Sequence, residues 1–145
     1  YEVIDFARAV VDSSGQGSFE FSNAVNGMDY YLQLEHRNSL ETWSNSPQQF
    51  SGNTLNYDFT VDATLAFGNN MIQIDDFPVK FAIYSGDVDQ DGTIDASDLS
   101  MIDNDAAGFV SGYEVTDLTG DNFVDGSDFA IADNNAANFV NVIRP

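Results

Sequence analysis

The chain of 145 residues has no cysteine and a single histidine, His36. Disulfide bonds, thiolate metal sites and cysteine nucleophiles are therefore excluded, and zinc lacks its preferred ligands. Basic residues are scarce, since four Lys and Arg stand against 24 Asp and Glu, for a formal net charge of −20. Such a surface repels nucleic acid and anionic lipid, so we expect neither as a partner. No run approaches 18 apolar residues, which argues against membrane insertion.

The remaining composition is that of a folded protein. Hydrophobic residues make up 43% and aromatic residues 13% of the chain, whereas disordered acidic chains are poor in aromatics. An acidic chain that folds must offset its self-repulsion, and bound cations are the most direct means. Because the chain begins at Tyr1 rather than Met, we expect a processed product or an excised fragment.

Residues 1–85 consist of short alternating or aromatic-rich stretches separated by turn residues. This pattern predicts an antiparallel, immunoglobulin-like β-sandwich of about seven strands, so the whole chain is expected to be mainly β with a small α part. The clearest candidate strands are residues 1–11, 18–25, 29–36, 56–62, 71–74 and 79–84.

Residues 86–145 contain an internal repeat with a period of 30 residues. The shift superimposes Asp87 on Asp117 and Asp98 on Asp128, and it also aligns Phe109 with Phe139. Two copies of one supersecondary unit are therefore predicted, which makes residues 1–85 and 86–145 separate domains.

The first copy contains a 12-residue loop, residues 87–98, whose spacing suits calcium. Such a loop supplies oxygen ligands from positions 1, 3, 5, 7, 9 and 12, with glycine at position 6 for a sharp turn. Gly92 occupies position 6. The predicted ligands, in order, are Asp87, Asp89, Asp91, the Thr93 carbonyl, Asp95 and Asp98.

The second loop, residues 117–128, repeats the spacing with two departures. Thr119 replaces a carboxylate at position 3, and Asn122 replaces glycine at position 6, where Asn is the next most tolerant residue. We expect this second calcium site to be occupied but weaker. Its predicted ligands are Asp117, Thr119, Asp121, the Phe123 carbonyl, Asp125 and Asp128.

With these loops, residues 86–145 resemble a dockerin module, the paired calcium-loop domain of secreted bacterial proteins. The resemblance implies two calcium ions, one helix after each loop (Ala96–Ala107 and Gly126–Ala137), and binding to a cohesin domain. It places partner contacts at the two residues before the last loop ligand and on the following helix, where the family often carries Lys-Arg. Here those positions hold Ala96-Ser97, Gly126-Ser127, Asp103-Asn104 and Asp133-Asn134. Residues 1–85 have a diffuse likeness to immunoglobulin-like or carboxypeptidase-regulatory-type β modules.

The junction of the two parts is short. The connection Tyr84-Ser85-Gly86-Asp87 contains no flexible linker, which predicts that the two parts dock. We expect the apolar side chains of Phe109, Phe139 and Ile143 to pack on the sandwich.

Three functions fit these observations, and none is enzymatic because no nucleophile and base are paired by the sequence. The first is an extracellular or cell-surface structural module, such as an adhesive or filament subunit that polymerises by adding the strand 1–11 to a neighbouring sheet. The second is a docking module that binds a cohesin-like protein. The third is a carbohydrate-binding appendage of a secreted enzyme, using Tyr30, Tyr31, Trp43 and Tyr57.

Overall fold

The computed structural model describes residues 2–145, which form small sheets and two helices with no closed barrel. Three two-stranded antiparallel sheets pair β1 with β4, β2 with β3 and β5 with β6. No helix in the described residues is long and apolar enough to cross a bilayer. The strands are β1 (Asp29–Tyr30), β2 (Gln33–His36), β3 (Ser39–Trp43), β4 (Gln48–Gln49), β5 (Ile72–Asp76) and β6 (Val79–Ala82); the helices are α1 (Ala96–Ala107) and α2 (Gly126–Ala137).

The predicted seven-stranded, immunoglobulin-like sandwich is not what the structure shows. Residues 2–11, 18–25 and 56–62 form no strand, while Tyr1 lies outside the described residues. Aspartate side chains take the backbone donors that a strand ladder would need: Asp58 accepts a bond from the Thr60 amide (2.8 Å) and Asp5 one from the Asn23 amide (2.7 Å). Bonds from side chains to the backbone, local at Asp58 and between two segments at Asp5, compete with sheet formation, and alternating hydrophobicity alone does not reveal them.

A small core holds the N-terminal part, residues 2–85, together. Phe59, Ala66 and Met71 are buried there, and side chains from β2 and β6 pack around them. Tyr57 contacts Phe59 edge to face, with ring centroids 4.7 Å apart. The core is therefore built from loops as much as from strands.

Both helices of the repeat module, residues 86–145, begin and end in the same way. Asp95 caps α1 and Asp125 caps α2, each in a capping box with the aspartate three residues later. After α1, the Val110 amide bonds the Asp105 carbonyl (3.0 Å) and the Phe109 amide bonds the Ala106 carbonyl (3.1 Å). This is the Schellman ending, and residues 138–140 repeat it after α2.

The Schellman endings correct the expectation for Phe109 and Phe139. These residues adopt left-handed φ angles of 53° and 55°, and their side chains are 89% and 85% exposed instead of packing on the N-terminal part. The following residues, Val110 and Val140, pack against the core. Ile143, as expected, lies against the N-terminal part. It is so close to Gly68 that a Cβ atom added to this glycine would lie 2.7 Å from Ile143 Cγ2.

The two parts share one core. Leu40 of β3 is fully buried in a cluster whose other buried members all belong to the repeat module. A backbone bond joins the parts as well, from the Gly86 amide to the Asn38 carbonyl (2.8 Å). Beside it, within the N-terminal part, the Leu40 amide bonds the Tyr84 carbonyl (2.8 Å). The other buried members of the cluster are Val88, Ile94, Ile102, Val124 and Ala132.

Replacing Leu40 by alanine should destabilise both parts in one transition. Loss of a fully buried leucine costs about 2–5 kcal/mol of unfolding free energy, since the cavity is only partly filled by relaxation. Trp43 fluorescence reports the N-terminal part and helical circular dichroism the repeat module, so both should shift together in urea. Val10→Ala, at a highly exposed site, is the control and should change stability by less than about 0.5 kcal/mol. Separate shifts of the two signals would contradict a shared core.

Candidate metal centre

Loop 1 (residues 87–98) brings three carboxylates together. Asp87, Asp89 and Asp91 each offer an oxygen, and these atoms all lie within 4.8 Å of one another. In the described part of the chain, no other group of three acidic or histidine side chains meets this criterion. An all-oxygen set of this kind suits a hard cation such as Ca²⁺.

The fit to a cation is sharpest at Asp87. This residue is 2% exposed, and its Oδ1 is the one buried side-chain polar atom in residues 2–145 that lacks a hydrogen-bond partner. A buried carboxylate oxygen without a partner is costly. A bound cation would supply the missing interaction.

Hydrogen bonds within loop 1 fix the shape of this cluster. The Asp91 amide bonds Asp89 Oδ1 (3.1 Å) and the Thr93 amide bonds Asp91 Oδ1 (2.8 Å), while Gly92 between them has φ 90°. Asp98, at the start of α1, accepts the Val88 amide (2.8 Å) and so ties the end of the loop to its beginning.

The remaining predicted ligands of loop 1 lie outside the three-carboxylate cluster. Thr93 forms an isolated β-bridge with Asn141, which follows α2. Asp95 is exposed and its Oδ1 accepts the Ser97 amide (2.8 Å) and hydroxyl (2.7 Å), as expected of a helix cap. The structure therefore gives Asp95 a local role at α1.

Loop 2 (residues 117–128) has the same outline but is more fully hydrogen-bonded. Asp117 Oδ1 accepts the Gly120 amide (2.8 Å), and its Oδ2 accepts the Asn122 amide (3.1 Å). Thr119 also donates its hydroxyl to Asp117 Oδ1 (3.3 Å). Asn122 adopts φ 71°, the left-handed conformation predicted for it in place of glycine.

The other predicted ligands of loop 2 do not converge as those of loop 1 do. Asp128 is fully buried and accepts the Thr119 amide (2.9 Å), as Asp98 does for Val88 in loop 1. Asp121 is exposed and bonds the Phe123 amide (2.9 Å), and Asp125 caps α2 through Ser127. Phe123 bridges Ser111, which follows α1.

The electrostatic cost is greatest in loop 1. Burial raises the pKa of Asp87 to about 6, and the charge of Asp98 adds to the rise. Burial also raises the pKa of Asp98, partly offset by its backbone donors. At the loop ends, hydrogen bonds from the Ser97 and Ser127 side chains lower the pKa of Asp95 and Asp125.

Sequence reasoning missed the contacts that the β2–β3 turn makes with loop 2. Arg37 Nη2 donates to the Asp117 carbonyl (2.9 Å) and lies 4.0 Å from Asp117 Oδ2, and Asn38 Nδ2 donates to the same carbonyl (3.0 Å). The sequence carries no signal for these contacts, since about 80 residues separate the partners. Arg37 and Asn38 therefore tie the β2–β3 turn to the first residue of loop 2.

The aromatic residues considered for carbohydrate binding contact other rings. Tyr30 lies edge-on to Phe50, and Tyr31 to Trp43, with centroids 6.3 and 6.4 Å apart. Tyr57 packs beside the buried Phe59. These contacts are those of packing residues, and no comparison with known proteins supports carbohydrate binding.

Comparison with known families agrees with the geometry of the loops. Residues 85–136 match the family model of the dockerin type I domain. The matched segment is less than half of the chain. Dockerin type I domains bind calcium through paired EF-hand-like loops and are non-catalytic docking modules, although they are often attached to enzymes. They bind cohesin domains and occur in extracellular or cell-surface proteins. No curated protein and no solved structure matches the chain.

Calcium affinity should fall as the pH drops through about 6. Calcium binding at Asp87 would require the charged carboxylate, and the folded-state pKa of about 6 exceeds the usual value of 3.8. The loss for loop 1 should approach about tenfold per pH unit below 6. In chelator the sign reverses: the charged form is disfavoured in the folded state, so stability rises as the pH falls from 7 towards 4. Asp87→Asn is the control and should show a smaller rise, because only the Asp98 contribution then remains. A calcium affinity unchanged between pH 7 and 5 would contradict this account.

Proposed function

We propose that the chain is a calcium-dependent docking module whose repeat module binds a cohesin-like protein at the cell surface or outside the cell. The observation that carries this proposal is the dockerin match over residues 85–136. The unpartnered Asp87 oxygen supports the metal requirement. The proposed domains are residues 1–85 and 86–145, although the two share the Leu40 core.

The proposed ligands follow the loop positions. In loop 1, Asp87, Asp89, Asp91 and Asp98 hold one calcium ion, with Asp95 acting through water and the Thr93 carbonyl completing the set. In loop 2, Asp117, Thr119, Asp121 and Asp128 hold a second ion, with Asp125 and the Phe123 carbonyl in the corresponding positions. Two divalent ions add four positive charges and reduce the formal charge from −20 to −16.

Calcium supplies stability in this proposal, and the chain's own residues supply the binding surface. At a free calcium concentration about 1,000 times the dissociation constant, each ion adds about 4 kcal/mol to the unfolding free energy. The ions would stabilise the first turns of α1 and α2, where Asp98 and Asp128 are buried. Docking is therefore expected only when the loops are loaded.

Phe109 and Phe139 are the strongest candidates for partner contacts. A bulky residue in the left-handed region is strained, and Gly is the usual residue at this position of a helix ending. Both repeats nevertheless place a phenylalanine there whose side chain is largely exposed to solvent. Strain kept at an exposed site favours a role in binding.

The charge of the helices indicates the complementary partner. Neither α1 nor α2 has a basic residue in its last turn, and Asp103 and Asp133 are exposed at equivalent positions. A cohesin-like surface that fits this module should hold an apolar pocket for phenylalanine with lysine or arginine around it. The helices carry Asp103 and Asp133 and lack the Lys-Arg pair that is frequent in the family, so we expect a partner surface that is basic rather than acidic.

The docking proposal predicts binding that is lost without any loss of folding. Full chain should bind at least one member of a panel of purified cohesin domains in calcium and none in chelator. Phe109→Gly with Phe139→Gly should weaken that binding at least about tenfold while raising stability by up to about 1 kcal/mol per site, because left-handed strain is removed. Phe6→Gly, which removes an exposed phenylalanine elsewhere, is the matched control and should leave binding unchanged. Binding that persists in chelator, or in the double variant, would overturn the proposal.

Polymerisation by strand addition is a second candidate. Residues 2–11 pair with no strand in the described part of the chain, and Val3, Phe6 and Val10 are exposed. A free segment of this kind can add to a neighbouring sheet edge. No comparison with known proteins supports self-assembly, so docking is the preferred function.

Light scattering in calcium separates the two candidates. A polymerising chain should grow in mass with concentration and fall to folded monomers when residues 1–11 are deleted. A chain that stays monomeric at high concentration, with or without these residues, rules out the filament and leaves docking.

A further inference from the structure

One turn of the N-terminal part contacts both calcium loops. Arg37 and Asn38 bond the Asp117 carbonyl in loop 2. The next residue, Ser39, accepts a bond through its carbonyl from Gln90 Nε2 of loop 1 (3.3 Å). The turn therefore meets loop 2 with a charged side chain and loop 1 with a neutral backbone group.

The position of Arg37 is fixed by several contacts. Its Nε donates to the Glu114 carbonyl (3.1 Å), and its guanidinium carbon lies 4.0 Å from the centre of the Tyr113 ring. The side chain is only 19% exposed, so solvent and salt screen its charge weakly. A cation is thus held beside Asp117, the first residue of loop 2.

In the described residues, no cation forms an ion pair with a carboxylate of loop 1. Arg144 lies near Gly92, but a bidentate pair with Glu41 (2.8 and 3.0 Å) offsets its charge. Arg37, by contrast, forms an ion pair with no acidic side chain in the described residues other than Asp117. The two loops therefore differ in their electrostatic surroundings as well as in their ligands.

We propose that Arg37 acts as a resident counter-charge to Asp117 and lowers the calcium affinity of loop 2. The inference rests on the proposed calcium sites and adds a residue outside residues 86–145 that tunes one of them. A positive charge beside a ligand repels the incoming ion and already satisfies part of the carboxylate charge. By reciprocity, calcium in loop 2 weakens the hold of Arg37 on Asp117.

Calcium titration of the full chain tests this inference by calorimetry. The wild type should show two binding events, and the event that Asp117→Ala removes belongs to loop 2. Arg37→Gln should strengthen that event on the order of threefold to tenfold and leave the other unchanged. The Asn38 bond to the Asp117 carbonyl remains in this variant, so this carbonyl keeps one of its two side-chain donors.

Three further variants separate charge from structure. Arg37→Lys keeps the charge and should bind calcium as the wild type does. Arg8→Gln removes the same charge from an exposed site and should change neither event by more than about twofold. If Arg37→Gln does not fold, Arg37→Met, which keeps an apolar stem over Tyr113, is measured in its place.

The outcomes distinguish this inference from the proposed function. An Arg37→Gln or Arg37→Met variant whose loop 2 affinity is unchanged or weaker overturns the inference, while two intact calcium events leave the function standing. A wild-type chain with no calcium binding overturns the proposed function itself. A loop 2 event strengthened by Arg37→Gln, or by Arg37→Met in its place, but not by Arg37→Lys, establishes the role of the charge.

Discussion

Burial of negative charge is the constraint on which the rest of the repeat module depends. Asp87, Asp98, Asp117 and Asp128 are each no more than 2% exposed, in a chain of net charge −20. The last residue of each loop, Asp98 in loop 1 and Asp128 in loop 2, is also the third residue of the helix that follows, so the same carboxylates close the loops and start α1 and α2. Because the same carboxylates serve both purposes, a cation that compensates the charge of the loops would also stabilise the start of each helix.

The N-terminal part takes a direct share in that solution. A module of about 60 residues buries limited apolar surface by itself, and Leu40 fills the centre of its core from outside. The β2–β3 turn that precedes Leu40 also places Arg37 on loop 2. Apolar packing and charge compensation thus reach the repeat module through the same hairpin, which explains why the connection between the parts needs no linker.

The repeat module could be predicted from the sequence because its signals are local and doubled. Asp95 and Asp125 cap helices whose bounds agree with the predicted ones, and Asn122 adopts the left-handed turn expected of it. The N-terminal part gave no comparable signal, because Asp58 and similar residues bond the backbone locally within stretches that alternate like strands. The expected burial of Phe109 is wrong for a related reason. Its apolar character predicts burial, whereas the helix ending turns its side chain towards solvent. The role of Arg37 depends on a contact between distant residues, which one sequence cannot reveal.

The two loops illustrate how related sequences with the same ligand spacing reach unequal electrostatics. In loop 1 the first carboxylate retains an unpartnered oxygen and lies among other acids, so the metal-free state carries repulsion that a cation relieves. In loop 2 the first carboxylate is already bonded by the Gly120 and Asn122 amides and faces Arg37, so a cation there replaces existing interactions. The gain on binding is the difference between the two states, and it is larger where the metal-free state is worse satisfied. We therefore expect calcium in loop 1 to contribute most to the stability of the module, whereas the proposed role of Arg37 would let the N-terminal part adjust the occupancy of loop 2.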